Sequence, residues 1–156
     1  MKEISLRKAK LDDLEIYKNL YEDYDAMFLY SNHDEDDEKK AKEDMKGMGI
    51  DEELQSKDFI KEYQESIKSI YFITVNQNVV GYIKADKKGK ELVIHDMAIS
   101  DYSLWNERNL CKLFNVVFNE TKTEKIVIYY CVEITRKMLQ RIGFTSKGYL
   151  EKIAGI

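Results

Sequence analysis

Proline is absent from all 156 residues. Every turn must then be made by Gly, Asn, Asp or Ser. Glycine is scarce as well: there are seven, and none lies between Gly89 and Gly143. A loop in that interval has to manage without the residue that enters left-handed φ at no steric cost. Cysteine occurs twice, as Cys111 and Cys131. Two cysteines make no secreted disulfide framework, and neither has a metal-type spacing. Both are expected to be reduced core thiols of a cytoplasmic protein. No run approaches the roughly 20 apolar residues of a membrane helix, and the opening MKEISLRKAK has no apolar signal core. A basic stripe is missing too. With a formal net charge of −4, no nucleic-acid surface is expected.

What is present describes a folded chain. Hydrophobic residues make up 44% and charged residues 35%, a composition outside the disordered class. One domain spanning 1–156 is the expectation at this length, with roughly two thirds of the unfolded surface available for burial.

Residues 3–9 alternate like an edge strand. Asp12 has the character of a helix N-cap with Glu15 at the capping-box position, and Leu14, Tyr17, Leu20, Tyr21 and Tyr24 follow at helical spacing. That predicts a helix over 12–24. The charge-rich stretch 31–58 predicts a helix over 34–46, a break at Gly47 and Gly49, and a second helix from 51 to 67. Its acidic run, Asp34 to Glu38, reads as a solvated helix start or as an attractor for a cationic substrate. Strands are predicted at 69–75, 79–85 and 91–99, with turns at Asn76–Asn78 and Asp86–Gly89, making an antiparallel meander. A polar loop follows. A helix then carries Leu110, Leu113, Phe114, Val117 and Phe118 on one face. KIVIYYCV (125–132) is a continuous apolar run, as expected of a strand buried on both sides. Residues 133–142 predict a helix, with Gly143 at its left-handed C′ position, and the chain closes in a last strand or hairpin. The 91–131 part is a crossover between parallel strands.

Three segments carry a family resemblance: ISLRKAKLDDLEIYKNL at the N-terminus, LVIHDMAISD in the fourth strand, and TRKMLQRIGFTSKGYL near the C-terminus. Together with the order of elements, they make the chain resemble the GCN5-related N-acetyltransferase (GNAT) superfamily over essentially its full length. The resemblance implies an α/β fold with a mixed, mostly antiparallel sheet, a central parallel β-α-β crossover and helices on both faces. It implies acetyl-CoA as co-substrate, in a cleft where the fourth and fifth strands splay apart, and a primary amine of a small molecule or peptide as acceptor. Pantetheine would pair with the backbone of Met97, Ala98 and Ile99. The pyrophosphate would rest on the 104–110 loop, with Trp105, Asn106, Arg108, Asn109 and Leu110 as its residues. Dimers are common in that family, so a homodimer is one expectation.

The chain departs from the family pattern in two places. The loop LWNERNL has no glycine; Asn106 and Asn109, which tolerate left-handed φ better than most residues, are the expected substitutes, and Arg108 would pair with phosphate. Leu139 stands where the family often has a tyrosine acid, and Val132 where it often has Asn. These departures, with 11 tyrosines, support an alternative: a catalytically inactive GNAT-fold binding module.

His95 matches the position where many relatives carry a Glu base, and histidine is a competent base at neutral pH. Strict period-two alternation puts Glu91, Val93, His95 and Met97 on one face and Asp96 on the other. His95 reads either as the base or as a hydrogen-bonded surface histidine. Asp96 reads as a substrate ligand or a loop anchor. Tyr129 and Tyr130, on opposite faces of the fifth strand, are candidate proton donors or core residues. Trp105 reads as a lid over the cofactor or a core anchor. Cys131 with His95 as a nucleophilic pair, and His33 with Asp34 to Asp37 as a metal site, are the weaker alternatives.

Overall fold

The computed structural model describes residues 3–22, 57–129 and 133–155. The predicted helix at 34–46, the break at Gly47 and Gly49, the acidic run from Asp34, and Tyr24, His33, Tyr130, Cys131 and Val132 all lie outside them.

Strand β1 (Ile4–Lys8) leads through a 3₁₀ turn (Leu11–Asp13) into α1 (Leu14–Glu22). Helix α2 (Lys57–Ser66) and a second 3₁₀ turn (Ile67–Ser69) precede the meander of β2 (Ile70–Val75), β3 (Asn78–Lys88) and β4 (Glu91–Ile99). A third 3₁₀ turn (Tyr102–Leu104) opens α3 (Glu107–Thr121), which crosses over to β5 (Lys125–Ile128); α4 (Glu133–Arg141), β6 (Thr145–Ser146) and β7 (Leu150–Ile153) complete the chain. The seven strands form one sheet in the order β1-β2-β3-β4-β5-β7-β6. Among the described residues only β4 and β5 run parallel, and every other pair is antiparallel.

Both faces are covered, because the alternating strands expose an apolar side in each direction. On one face Ile73, Ile83, Leu92, Ile94, Met97 and Ile99 pack with Leu110, Leu113, Phe114 and Val117 of α3 and Leu139 of α4. On the other, Phe72, Tyr82 and Ala98 meet Tyr17 and Leu20 of α1 and Phe59 and Tyr63 of α2. The stripe predicted for α3 is the stripe that is buried.

Local details differ from the sequence expectations. The reciprocal cap ahead of α1 uses Asp13, whose Oδ2 accepts from the Lys10 backbone N–H at 2.8 Å; Glu15 instead pairs with Lys18 at 3.5 Å. β3 runs on to Lys88, past the expected turn at Asp86, so the hairpin turns at Gly89 and Lys90. β5 ends at Ile128, so Tyr129 follows the strand instead of lying within it. Gly143 does take the predicted left-handed place, at φ 110, while the Phe144 N–H reaches back to the Leu139 carbonyl at 3.0 Å.

Candidate functional site

The register of β4 holds the main surprise. Lys84 pairs with Asp96 and Ala85 with Ile94, so His95 is an extra residue on β4 with no partner on β3. Such a bulge resets the side-chain alternation. Leu92 and Ile94 face the α3 side before it, and Met97 and Ile99 face the same side after it. The strict alternation that put His95 beside Met97 and opposite Asp96 is therefore wrong. His95 and Asp96 line one cavity together on the α1–α2 side. The adjacent polar pair in LVIHDMAI, flanked by apolar triplets, was the sequence signal for this insertion.

The bulge coincides with a second event. The parallel ladder to β5 stops at Ile94 and Ile128. From His95 onward β4 still pairs with β3, and no further pair with β5 occurs among the described residues. Among the described residues, the last β4–β5 pair thus stands immediately before the bulged residue.

The cavity has a volume of about 470 Å³ and is lined by Tyr17 and Tyr21 of α1, Phe59, Glu62, Tyr63 and Ser66 of α2, and Lys84, His95 and Asp96 of the sheet. Its aromatic wall is packed ring on ring: Tyr17 lies 5.2 Å from Tyr63, 6.0 Å from Phe59 and 5.0 Å from Tyr82, centroid to centroid. The Tyr63 hydroxyl donates to the Lys10 carbonyl at 2.5 Å, and burial pushes its pKa up to about 12. Asp96 Oδ2 accepts from the Tyr82 hydroxyl at 2.5 Å, while its Oδ1 is buried without a hydrogen-bond partner. Burial raises the Asp96 carboxyl above the usual carboxylate range, against the opposing pull of the Tyr82 hydroxyl, the Met97 N–H and Lys84. His95 is half-exposed, with Nε2 2.8 Å from Asp86 Oδ2.

The loop before α3 is tied up by its own side chains. Asn106 is the N-cap, its Oδ1 accepting from the Asn109 N–H at 2.9 Å. The amides of Asn106 and Asn109 both donate to the Ser103 carbonyl, at 2.9 and 2.8 Å. Neither asparagine takes the expected left-handed φ: Asn106 is extended at φ −142 and Asn109 is helical. A hydrogen-bonded cap thus shapes this loop in place of glycine. Leu110 is wholly buried and its N–H is spent on the Asn106 carbonyl at 2.9 Å, so it is not a free donor. The N–H groups of Glu107 and Arg108 have no acceptor among the described residues, and the Arg108 side chain is exposed beside them. Trp105 is partly buried and packs against the core, its Nε1 buried and unpartnered among the described residues.

Tyr129 is 51% exposed, rests against Tyr149 at 5.6 Å and does not line the cavity. Met97 and Ala98 are buried. Sequence reasoning missed Asp86, Ser69, Tyr82 and Lys84. The turn expected over Asp86–Gly89 hides the place of Asp86 across from β4.

No family model matches this sequence, and no curated protein does. Solved structures match over nearly the whole chain. The PaiA N-acetyltransferase of Thermoplasma acidophilum, in complex with coenzyme A, is 12% identical over 97% of this chain and 99% of its own, with TM-score 0.54. A GNAT-family acetyltransferase of Bacillus anthracis is 14% identical over 98% and 96%, with TM-score 0.57. The aminoglycoside-bound AAC(6')-Ib, in complex with ribostamycin and coenzyme A, is 13% identical over 97% and 94%, with TM-score 0.58. The fold is that of the GNAT acetyltransferases.

Proposed function

We propose that this chain transfers the acetyl group of acetyl-CoA to a primary amine, with His95 as the base. The observation that carries this is the coincidence at His95. The bulged histidine, the end of the β4–β5 ladder and the floor of the aromatic cavity meet at one residue. The thioester would enter through the split along Met97–Ile99, and the amine would come from the cavity on the opposite side of His95. Coenzyme A in the complexes of the PaiA enzyme and of AAC(6')-Ib supports acetyl-CoA as co-substrate.

The residues fit such a ligand. Glu107 and Arg108 offer two backbone N–H groups with no acceptor among the described residues at the start of a 15-residue helix, and the Arg108 side chain is exposed, an arrangement that favours a phosphate. The acidic side chains lining the acceptor cavity, Asp96 and Glu62, suit a cationic group, and the tyrosine wall suits its apolar substituent. The bound ammonium first gives one proton to solvent; the neutral amine then attacks the thioester carbonyl, His95 takes a second proton from the nitrogen, the C–S bond breaks, and the thiolate takes a proton from water. Tyr129 has no part in this reading. The protein works in the cytoplasm, and among the described residues no helix is long and apolar enough to cross a membrane.

The self-bonded loop favours one rival, a binding module that has lost the cofactor. Thermal unfolding with acetyl-CoA separates the two. Binding to the native state raises stability by about 2.7 kcal/mol at a hundredfold excess over Kd. The expected result is a clear Tm rise that survives His95→Ala and is lost in Arg108→Glu, with acetyl transfer lost in His95→Ala. No rise at millimolar acetyl-CoA refutes the transferase.

A further inference from the structure

The imidazole of His95 is held from outside the cavity. Nε2 lies 2.8 Å from Asp86 Oδ2. The other oxygen of that carboxylate, Oδ1, accepts from the Ser69 hydroxyl at 2.8 Å. The three residues come from three elements. Ser69 closes the 3₁₀ turn after α2, Asp86 stands on β3, and His95 bulges from β4. Asp86 pairs across the ladder with Val93, two positions before His95, so Asp86 and His95 meet diagonally on one face of the sheet. Among the described residues this is the only hydrogen bond of the ring.

An ionised carboxylate only accepts, so its neighbours must donate. The hydrogen bonds from Ser69 and then His95 hold Asp86 below the usual carboxylate range, which keeps it an acceptor at neutral pH. Nε2 therefore carries the hydrogen. A neutral imidazole protonated at Nε2 has its single basic lone pair on Nδ1. A base that could exchange freely between tautomers would present the wrong nitrogen part of the time.

We infer that Asp86 and Ser69 are positioning residues for His95, Asp86 fixing the Nε2–H tautomer and Ser69 fixing Asp86, so that Nδ1 receives the proton of the acceptor amine. This rests on the assignment of His95 as base. In the step, the amine nitrogen bonds to the thioester carbon and the C–S bond breaks. One N–H proton moves to Nδ1, giving an imidazolium whose Nε2–H stays on Asp86. The imidazolium returns its proton to solvent, and the thiolate takes one from solvent. Lys84, Asp96, Glu62, Tyr17, Tyr21 and Tyr63 face the same cavity, and none is hydrogen-bonded to the ring.

The chain has two histidines, so His33→Gln leaves one ring to observe. Long-range ¹H–¹⁵N spectra of that protein, labelled at histidine, report which ring nitrogen is protonated and need no turnover. Wild-type His95 is expected as the Nε2–H form, and Asp86→Asn as a mixture, because an amide can also donate to Nε2. In steady-state assays Asp86→Asn should lower kcat about tenfold and leave the KM for acetyl-CoA unchanged, below the full 10²–10⁴-fold that general base catalysis supplies. Ser69→Ala should cost roughly two- to threefold, the scale of one neutral hydrogen bond acting at a distance. The same tautomer ratio in wild type and Asp86→Asn overturns the inference, as does a shifted ratio with unchanged kcat. Full activity in His95→Ala overturns the base assignment itself, whatever the spectra show.

Discussion

The two oxygens of Asp96 are treated unequally: one accepts from Tyr82 and the other is buried alone. Its carboxyl is raised above the ordinary 3.8, so folding favours the protonated form. That contribution is whole below the unfolded pKa and lost as pH rises through the folded one. At neutral pH an ionised Asp96 is a cost to the fold, the usual signature of a group kept for binding. Asp96→Asn should therefore raise Tm, more at pH 8 than at pH 4, while raising the KM of the amine. Each kcal/mol recovered is worth roughly 2–4 °C in a chain of this size. Equal shifts at both pH values would show that ionisation is not the source. The chemistry of this residue was legible in the sequence, but its direction was not. One inserted residue upstream decides which face it takes, and a period-two reading has no place for an insertion.

Elements with an uninterrupted period were the easiest to read. The apolar stripe of α3 and the meander strands follow from spacings of 3.6 and 2. Irregular backbone was harder: the bulges at Ile73/Thr74 and Lys84/Ala85, the exposed charged end of β3, and the cap made by Asp13 in place of Asp12. Each depends on a partner far along the chain. Gly81 is another such case. It pairs with Ile99, and a Cβ there would lie 2.4 Å from the Ala98 carbonyl oxygen and 3.1 Å from the Ile99 Cα. Backbone atoms cannot rotate aside, so Gly81→Ala must push β3 and β4 apart. Overpacking of this kind costs about 1–3 kcal/mol. Urea unfolding should show the loss, and acetyl-CoA affinity should fall with it if the displaced strand holds pantetheine as proposed. An unchanged midpoint would mean that the ladder yields more easily than this contact implies.

For the molecule as a whole, the join between the sheet edge and the helical wall is electrostatic. Arg7 of β1 binds both oxygens of Asp13, at 2.8 and 3.2 Å, and its guanidinium lies 5.1 Å from the centre of the Phe72 ring. Asp13 also holds the Lys10 N–H, and Lys10 accepts from Tyr63 of α2. The Arg7 hydrogen bond leads in holding the Asp13 carboxyl below its ordinary 3.8, against the opposing effect of burial. A depressed folded value means stability that is present above the unfolded pKa and lost as pH falls through the folded one. Acid titration below about pH 4 should thus loosen the cavity wall. Asp13→Ala should cost about 1–3 kcal/mol at neutral pH by stranding its donors, and should lose less than wild type between pH 4 and pH 2. Parallel acid profiles would place the sensitivity elsewhere.

The bulge has a genetic consequence. His95 and Asp96 share a face, so removal of either one closes the ladder without turning a neighbour over; without His95, Lys84–Asp96 and Ala85–Ile94 become consecutive pairs. Loss of the single codon for His95 should give a folded protein without a base and with a straighter strand. Loss of the codon for Val93 would send half of β4 to the wrong face. Among single-codon deletions through this strand, the two bulge positions should be the most tolerated for soluble expression, and loss of His95 the least tolerated for acetyl transfer.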